Sequence, residues 1–269
     1  MSESSFSDGS RIEPREGPIA PSGSNVVEAR VLRLRMVMIA CVAAAIVWWA
    51  KDFRWGLVWE NRLLLTQGVG WTFFFFISSM TLGLLFGILL AVGRVYAPWP
   101  LRFAAIVLIE TVRGIPQLMV IFWVYFTIPE VTGSAPSGHT AALAALTAIA
   151  AAYLAEDVRA GFRSVPEVQW ESGLSTGLTR TQIFIHIVLP QAVRNMTPTI
   201  LATAITMMKV TSLIYVVGAI DLFRAMILIN NRIYEPYALY LVVALFYFGV
   251  CWAMNAIIAR LDPKYEITS

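Results

Sequence analysis

The chain of 269 residues is strongly apolar, since 58% of its residues are hydrophobic and only 14% are charged. With a mean hydropathy of +0.70, this composition excludes an ordinary soluble domain and indicates a protein that folds in lipid. The formal net charge of +3 is small, and the basic residues are spread over the loops between apolar runs. Nucleic acid is therefore not expected as a partner.

The two ends of the chain differ from the apolar middle. Residues 1–29 are rich in serine, glycine, proline and charge, and we expect them to form a disordered cytoplasmic tail. The first apolar run follows three arginines and begins too late in the chain for a signal peptide. Residues 34–51 are therefore expected to be an extra N-terminal transmembrane helix, and a helix lying on the membrane surface is the alternative. Residues 263–269 are expected to be a second cytoplasmic tail.

The middle of the chain contains several apolar stretches, each near the roughly 20 residues that a helix needs to cross a bilayer. The sequence therefore predicts an all-α, polytopic membrane protein. Lysine and arginine are concentrated on one side of the predicted spans, so both termini are expected to face the cytoplasm. With the extra helix included, six spans are predicted: 34–51, 68–93, 102–128, 139–156, 197–220 and 237–259.

The longest loop on the basic side, residues 156–196, contains two helix-start signatures. Ser164 and Glu167 have the spacing of a capping box, and Pro166 is acceptable in a first helical turn. These residues predict a helix that begins near residue 165, runs for about 18 Å and ends at Gly177.

The second signature predicts another short helix directly after the first. Thr179 and Gln182 repeat the capping-box spacing, and Pro190 is expected to stop or redirect the helix that they open. The loop is thus predicted to form a helix, a tight glycine turn and a second helix. Such an element can dock into a groove of another protein, or it can be a solvated amphipathic loop without a special role.

The same loop resembles the EAA loop of ATP-binding cassette import permeases. The residues that carry this resemblance are Glu171, Gly177, Ile187, Leu189 and Pro190, and Ser172 and Gly173 stand where the family has two alanines. Glycine and serine in place of alanine should weaken the helix by roughly 0.5 to 1 kcal/mol each. Flanking text is similar to the polar amino acid subgroup, which comprises histidine, glutamine, glutamate, arginine and opine permeases: AYLAEDVRAGFRSVPEVQWESG, LPQAVRNMTP, ETVRGIPQLMVIFWVYF and KVTSLIYVVGAIDLF.

This resemblance covers about residues 65–262, and it implies the five-span core of a type I importer permease. Two positions depart from the sequence pattern of the family: Ile115 stands where the family has a threonine, and Val210 stands where it has an aspartate. The resemblance implies an inner-membrane permease subunit whose EAA loop seats on cytosolic ATPase subunits. It also implies a second permease subunit, the same or a related chain, and a separate binding protein that delivers a polar amino acid.

A phosphate-binding GxxxxGK[ST] loop is absent from the sequence, so the permease itself is not expected to be an enzyme, and a different polypeptide must bind ATP. No cofactor is expected. His139, His186, Cys41 and Cys251 are isolated from one another and from acidic clusters, and no metal site is expected.

Ionisable residues within the predicted spans need a partner or a watery path, because each costs about 2.5 to 3.5 kcal/mol at mid-bilayer. Glu110 and Arg113 are three residues apart and are expected to pair. Lys209 is expected at a similar depth, next to Thr211 and Ser212. We hypothesise that these five residues line the translocation path, and a purely structural ion-pair network is the alternative.

The Gly114-Ile115-Pro116 sequence predicts a bent or locally unwound helix, which membrane proteins tolerate where the backbone faces protein or a cavity. A stand-alone secondary transporter would predict two related halves with paired broken helices, and the sequence has no such repeat. An intramembrane enzyme would need a recurring serine, histidine and acid pattern, which is not found.

Overall fold

In a computed structural model of the protein, residues 51–261 are described without a gap, together with scattered positions between 31 and 50. The chain divides at Phe53 into two units, and the fold described below is that of the second unit. The predicted helix 34–51 is described only in part, and the predicted tails 1–29 and 263–269 lie outside the described residues. These three expectations stay predictions.

The second unit is all-α, as predicted, and residues 54–261 contain no strand. α7 continues into α8 through a turn of π-helix, Phe184–Val188, and α8 continues into a 3₁₀ segment, Thr211–Val217. The helices are α1 Trp55–Glu60, α2 Arg62–Tyr96, α3 Trp99–Gly114, α4 Gln117–Thr132, α5 Gly138–Arg163, α6 Val168–Ser175, α7 Arg180–Ile183, α8 Leu189–Val210, α9 Leu222–Ile233 and α10 Pro236–Leu261.

Four helical segments of the described chain are long and apolar enough to cross a membrane, judged by length and composition. They correspond to four of the predicted spans. Three of them extend beyond both predicted limits, because charged residues at helix ends can reach water while the backbone remains helical, whereas Arg180–Val217 begins before residue 197 and ends before residue 220. The segments are Arg62–Tyr96, Gly138–Arg163, Arg180–Val217 and Pro236–Arg260.

The predicted span 102–128 is not one helix. α3 ends at Gly114, Ile115 is extended (φ −109°, ψ 156°), and α4 begins at Gln117. A residue before proline is driven out of the helical region by a clash with the proline ring, and Pro116 provides no amide proton. The break that the sequence indicates is therefore confirmed, and the predicted segment consists of two helices.

α5 is the central helix, and its face toward α2 is made of small residues. A hypothetical Cβ on Gly83 of α2 would lie 2.4 Å from Ala150 Cβ, and a Cβ on Gly87 would lie 3.1 Å from the Ala151 carbonyl oxygen. The two backbones therefore approach as closely as small residues allow, the usual way in which helices pack in membranes. The buried residues of α2 recur about every four positions: Thr72, Phe75, Ser79, Gly83, Gly87 and Ala91.

α9 occupies a segment that the sequence analysis treated as the connection between two spans. Asp221 caps its first turn, because the amides of Phe223 and Arg224 donate to the carboxylate at 3.2 and 2.8 Å. Burial raises the pKa of Asp221 to about 7, although these amide bonds act in the opposite direction. The Leu222 amide donates to Thr72 Oγ1 (3.0 Å), which ties α9 to α2. An aspartate directly before an apolar run is a helix-start signal that could have revealed α9.

Candidate functional site

The loop between α5 and α8, which resembles an EAA loop and is called the EAA loop below, folds as two short helices joined by a glycine turn. α6 ends at Ser175, and Gly177 follows with a φ of +82°, a left-handed conformation that glycine adopts without strain. α7 begins with the predicted capping box, because the Thr179 amide donates to Gln182 Oε1 (2.9 Å) and the Gln182 amide donates to Thr179 Oγ1 (3.4 Å). The predicted helix, turn and helix are confirmed.

The predicted start of the first helix near residue 165 is wrong. Ser164 ends α5, and its hydroxyl donates to the Gly161 carbonyl (2.7 Å) and accepts from Asn195 Nδ2 (2.8 Å). Because these partners engage the hydroxyl, it does not cap the helix that follows. α6 begins at Val168 instead, and its eight residues extend for about 12 Å.

Pro190 does not stop the second helix. α7, the π turn and α8 run together as one segment, Arg180–Val217, of 38 residues. In the π turn the Leu189 amide donates to the Phe184 carbonyl, five residues back. Pro190 then lies in the first turn of α8 and is exposed, while Leu189 is half-buried. A widened turn accommodates a proline without ending the helix, so the predicted stop is wrong and the alternative, a change of helix direction, stays a prediction.

The inner side of the EAA loop packs on the helix bundle. Gly173 is buried, and a Cβ there would stand 2.7 Å from Ile183 Cγ1, so this glycine lets α6 approach α7 closely. Ile183 is fully buried in an apolar cluster that includes Ile109 of α3 and Ala155 of α5, and Ile187 packs against the same cluster. The loop is therefore fixed to the bundle by its inner face.

The outer side of α6 faces away from the bundle. The side chains of Glu171 and Ser172 are exposed, and they lie between Val168 and Leu174, which are 58% and 48% exposed. Within residues 51–261, no hydrogen bond or ion pair engages the Glu171 carboxylate. Exposed apolar side chains around a free carboxylate are typical of a surface that contacts another protein.

The left-handed turn at Gly177 gives a direct test of this geometry. Gly177→Val is expected to destabilise the loop by about 1 to 2 kcal/mol, because a branched side chain disfavours positive φ. Gly177→Asn is the matched control, since asparagine tolerates this region and no atom lies within 4 Å of a Cβ at this position. Limited proteolysis of the loop should be faster in Gly177→Val than in Gly177→Asn. Equal rates would contradict the left-handed conformation of residue 177.

A cluster of charged side chains lies where α2, α3 and α5 meet. Glu156 Oε2 is 3.1 Å from Arg94 Nη1 and 3.9 Å from Arg113 Nη1. The same carboxylate binds Arg159, one turn along α5, through Nε (2.9 Å) and Nη2. Only 18% of the Glu156 side chain is exposed. One partly desolvated carboxylate thus accepts charge-assisted hydrogen bonds from two guanidinium groups, and a third guanidinium group lies within ion-pair distance of it. We call Arg94, Glu110, Arg113, Glu156 and Arg159 the Glu156 cluster.

The expected pair between Glu110 and Arg113 is not formed. Glu110 Oε1 is instead 3.0 Å from Arg94 Nη2, and the Arg113 guanidinium lies over the Tyr153 ring, 5.6 Å from its centroid. Arg94 lies in the last turn of α2, so the Glu110 carboxylate is near that end of α2. The sequence analysis did not single out Arg94 or Glu156 as a site, although the i, i+3 spacing of Glu156 and Arg159 is a visible signal.

Lys209 is not part of the Glu156 cluster. Thr203 Oγ1 donates to Asp157 Oδ2 (2.7 Å), which places Thr203 of α8 level with the cluster. Lys209 lies about 9 Å further along α8 by helix rise, next to Met207 and Val210, which pack in the same apolar cluster as Val112 of α3. The expected similar depth of Lys209 and Arg113 therefore stays a prediction. Its side chain is exposed, and among residues 51–261 it forms no ion pair.

Thr211 and Ser212 follow Lys209 at the start of the 3₁₀ segment. Thr211 is fully buried, and its hydroxyl donates back to the Met208 carbonyl (2.7 Å). Ser212 is half-buried and donates to the Lys209 carbonyl (2.7 Å). The structure therefore separates the predicted path residues into two groups, with Glu110 and Arg113 in the Glu156 cluster and Lys209 and Ser212 further along α8. A role for either group in translocation stays a prediction.

Neither histidine lies at a metal site in the described chain, which has no group of three or more histidine, cysteine, aspartate or glutamate side chains suited to a metal ion. His139 stacks on Phe75 (5.8 Å between centroids) and lies 4.8 Å from the Trp71 ring centroid. His186 Nδ1 is 3.0 Å from the Gln182 carbonyl oxygen, within α7 and the π turn. Both rings have local structural contacts.

The fold has three characteristic features: a broken helix, a two-helix loop fixed to the bundle, and four segments long and apolar enough to span a membrane. The family described as "Binding-protein-dependent transport system inner membrane component" matches residues 83–267. The chain belongs to this family. This inner membrane component is 34% identical to the probable glutamine ABC transporter permease protein GlnP of Bacillus subtilis over 217 residues, which are 79% of this chain and 99% of the relative.

Two further comparisons agree. The inner membrane component is 30% identical to the glutamate/aspartate import permease protein GltK of Escherichia coli over 220 residues, 79% of this chain and 98% of the relative. Its fold superposes on a crystal structure of an amino acid ABC transporter with histidines, with a TM-score of 0.72 and 26% identity, over 77% of this chain and 96% of the other. The match covers nearly the whole length of each relative.

Proposed function

We propose that this chain is the permease subunit of an ATP-driven importer that carries a polar amino acid delivered by a periplasmic or extracellular binding protein. The family membership and the names of the relatives, which are glutamine and glutamate/aspartate permeases, support this proposal. ATP hydrolysis then belongs to separate cytosolic ATPase subunits. The importer also contains a second permease subunit, either the same chain or a related one.

The observation that carries the proposal is the two-sided EAA loop. Its inner face is fixed to the bundle through Ile183, and its outer face presents the free carboxylate of Glu171. A rigid, outward-facing helix of this kind is suited to seat in a groove of another protein. The prediction that Glu171 and Ser172 contact the ATPase, while Gly173, Gly177 and Ile187 hold the loop in shape, follows from these two faces.

We further propose that both termini face the cytoplasm of the inner membrane, together with the EAA loop. The asymmetry of lysine and arginine between the two sides of the spans supports this orientation. In this orientation the Glu156 cluster lies near the cytoplasmic end of the translocation path, and Lys209 and Ser212 lie further toward the outer end. Thr211 is fully buried, so its hydroxyl is not expected to contact the substrate directly.

The proposal is tested by co-purification in detergent with the candidate ATPase subunit. The wild-type permease is expected to retain ATPase activity through purification, whereas Glu171→Ala is expected to lose most of it, because the exposed carboxylate contacts the ATPase. Glu130→Ala is the matched control, since Glu130 is exposed in the last turn of α4 and forms no ion pair within the described chain. A wild-type permease that captures no ATPase would overturn the importer proposal. Equal capture by Glu171→Ala would overturn the role of Glu171.

A further inference from the structure

We infer that a groove between α2 and α3 binds one acyl chain of an anionic phospholipid, while Arg102 at one end of the groove binds the phosphate of the same lipid. This inference goes beyond the import function and does not depend on it. The groove consists of two cavities of about 660 and 340 Å³, which share Leu89, Leu90 and Leu108 and therefore adjoin. We call the two cavities together the α2–α3 groove.

The α2–α3 groove has a base of small residues and walls of large ones. At its base lie Ala151 and Ala152 of α5, which are 4% and 1% exposed. Helices in membranes approach each other closely where they carry small residues, and a helix is about 10 Å across. Because leucine and phenylalanine form both walls, a helix of another subunit cannot approach the base, whereas a single acyl chain is narrow enough to enter. The wall residues are 37% to 59% exposed: Leu82, Phe86 and Leu89 on α2 and Leu108 on α3.

The length of the groove corresponds to one leaflet of a bilayer. Leu82 lines one end and Gly93 lines the other, and the two residues are about 17 Å apart along α2 by helix rise. The hydrocarbon of one leaflet is about 15 Å thick, half of a core of roughly 30 Å. The Gly93 end lies at the end of the bundle that carries the EAA loop, because Ala91 packs in the same apolar cluster as Ile183. A lipid in this groove therefore belongs to the leaflet on that side.

The lining of the groove is apolar. Among the described residues, Thr140 and Thr147 of α5 are the only polar ones that line it, and no charged residue does. Both threonines lie toward the end away from Gly93, since Ala150 of α5 is level with Gly83 of α2. The hydroxyl oxygen of Thr147 is buried, so the surface that this side chain offers to the groove is carbon. Such a lining suits an acyl chain and not a polar solute.

The Gly93 end of the groove carries a positive charge without a counter-charge. Arg102 directly follows Leu101, which lines this end, and the Arg102 side chain is exposed. Within residues 51–261, no carboxylate pairs with Arg102. Glu110 lies about 12 Å further along α3 by helix rise, and it is bound to Arg94. The guanidinium of Arg102 is therefore free to bind a phosphate, for which its fork of N–H groups is suited.

Aromatic side chains mark the same end of the groove as a headgroup region. Tyr96 and Trp99, on either side of the turn between α2 and α3, are 80% and 76% exposed. Exposed tyrosine and tryptophan are typical of the interface between membrane and water. The groove is thus apolar along its length, and it is basic and flanked by interfacial aromatic residues at one end. An anionic phospholipid has this same polarity, and basic pockets between membrane helices are known to hold such headgroups.

The test measures lipid binding by native mass spectrometry of the delipidated permease in detergent, together with any subunits that co-purify. The probes are phosphatidylglycerol and phosphatidylcholine with identical acyl chains. Wild type is expected to bind one phosphatidylglycerol molecule per chain, with a Kd about fivefold lower than that for phosphatidylcholine. This ratio is the size of the attraction that one arginine near a bilayer surface contributes toward an anionic lipid.

Two variants separate the contribution of the headgroup from that of the acyl chain. Arg102→Gln should raise the Kd for phosphatidylglycerol about fivefold and leave phosphatidylcholine binding unchanged. Arg232→Gln is the matched control, because Arg232 is exposed near the opposite end of the bundle and has no ion pair in the described chain. Ala144→Phe places a ring in the groove and should raise the Kd for both lipids about tenfold. Ala244→Phe, at an exposed position of α10 away from the groove, should change neither Kd.

Leu89→Ala tests the same groove without filling it. Leu89 lines both cavities and is 59% exposed, so its variant is expected to fold and to weaken the binding of both lipids. Equal Kd values for the two lipids in wild type, no lipid bound after titration, or variants that match wild type would each overturn the inference. If Ala144→Phe instead dissociates a pair of permeases in size-exclusion chromatography with light scattering, and lipid binding is unchanged, the groove is an interface between subunits and the inference is wrong. Capture of the ATPase is measured separately, so failure of the import function is distinguishable from each of these results.

Discussion

Glu156→Gln is expected to lower the stability of the folded permease by about 2 to 4 kcal/mol, because one partly buried carboxylate holds Arg94, Arg113 and Arg159 together. Glutamine keeps the size of the side chain and removes the charge. Three guanidinium groups then face one another without their shared counter-ion, and the contact between α2, α3 and α5 is weakened. For a domain of this size the loss corresponds to a fall in Tm of roughly 5 to 15 °C, measured by thermal unfolding in detergent.

Two further variants make this measurement decisive. Glu130→Gln removes an exposed carboxylate without an ion pair in the described chain, and its Tm is expected to stay within about a degree of wild type. Adding Arg159→Gln to Glu156→Gln removes one of the uncompensated charges, so the double variant should be more stable than the sum of the two single changes predicts. If Glu156→Gln behaves like Glu130→Gln, solvent screens the cluster as it screens surface ion pairs, and the contribution assigned to Glu156 is wrong.

Gly83→Val is expected to prevent normal packing of α2 on α5. A Cβ at this position would stand 2.4 Å from Ala150 Cβ and 3.2 Å from the Ala150 backbone carbon, and neither atom can move without shifting α5. Overpacking of a well-packed interface costs typically 1 to 3 kcal/mol, and contact with backbone places this site at or above the upper end. The fraction of monodisperse permease after size-exclusion chromatography in detergent should fall sharply.

Gly70→Val is the matched control in the same helix. A Cβ on Gly70 meets no atom within 4 Å, so this valine removes a glycine from α2 without a clash. Its permease should elute like wild type, and its Tm should be equal to or slightly higher than that of wild type, because glycine is a poor helix former. A Gly83→Val permease that is as stable as Gly70→Val would show that α2 and α5 are not packed as closely as described.

Features set by neighbouring residues could be predicted from the sequence. The capping box of Thr179 and Gln182, the left-handed turn at Gly177 and the break before Pro116 all depend on steric effects within a few residues. The start of α6 could not be predicted in this way. Ser164 has the right spacing for a cap, but Asn195, which is distant in sequence, engages its hydroxyl in the folded chain.

The candidate site was only partly predictable for the same reason. The sequence singles out Glu110 and Arg113 as charges within an apolar run, yet their partners come from other helices. Arg94 stands at the end of a predicted span, where a basic residue is ordinary, and only the packing of α2 against α3 brings it to Glu110. Spacing along one helix predicts pairs at three or four residues, and it contains no information about contacts between helices.

The uninterrupted segment Arg180–Val217 has a mechanical consequence. Helix α7 directly follows α6, whose outer face is proposed to meet the ATPase. The same continuous helix carries Thr203, which is buried, and Lys209, whose side chain is exposed. Because the helical backbone is continuous between these positions, a tilt of α7 is expected to displace α8 as well. Under the proposed contact with an ATPase, a movement of the ATPase is therefore expected to reach Thr203 and Lys209 through this helix.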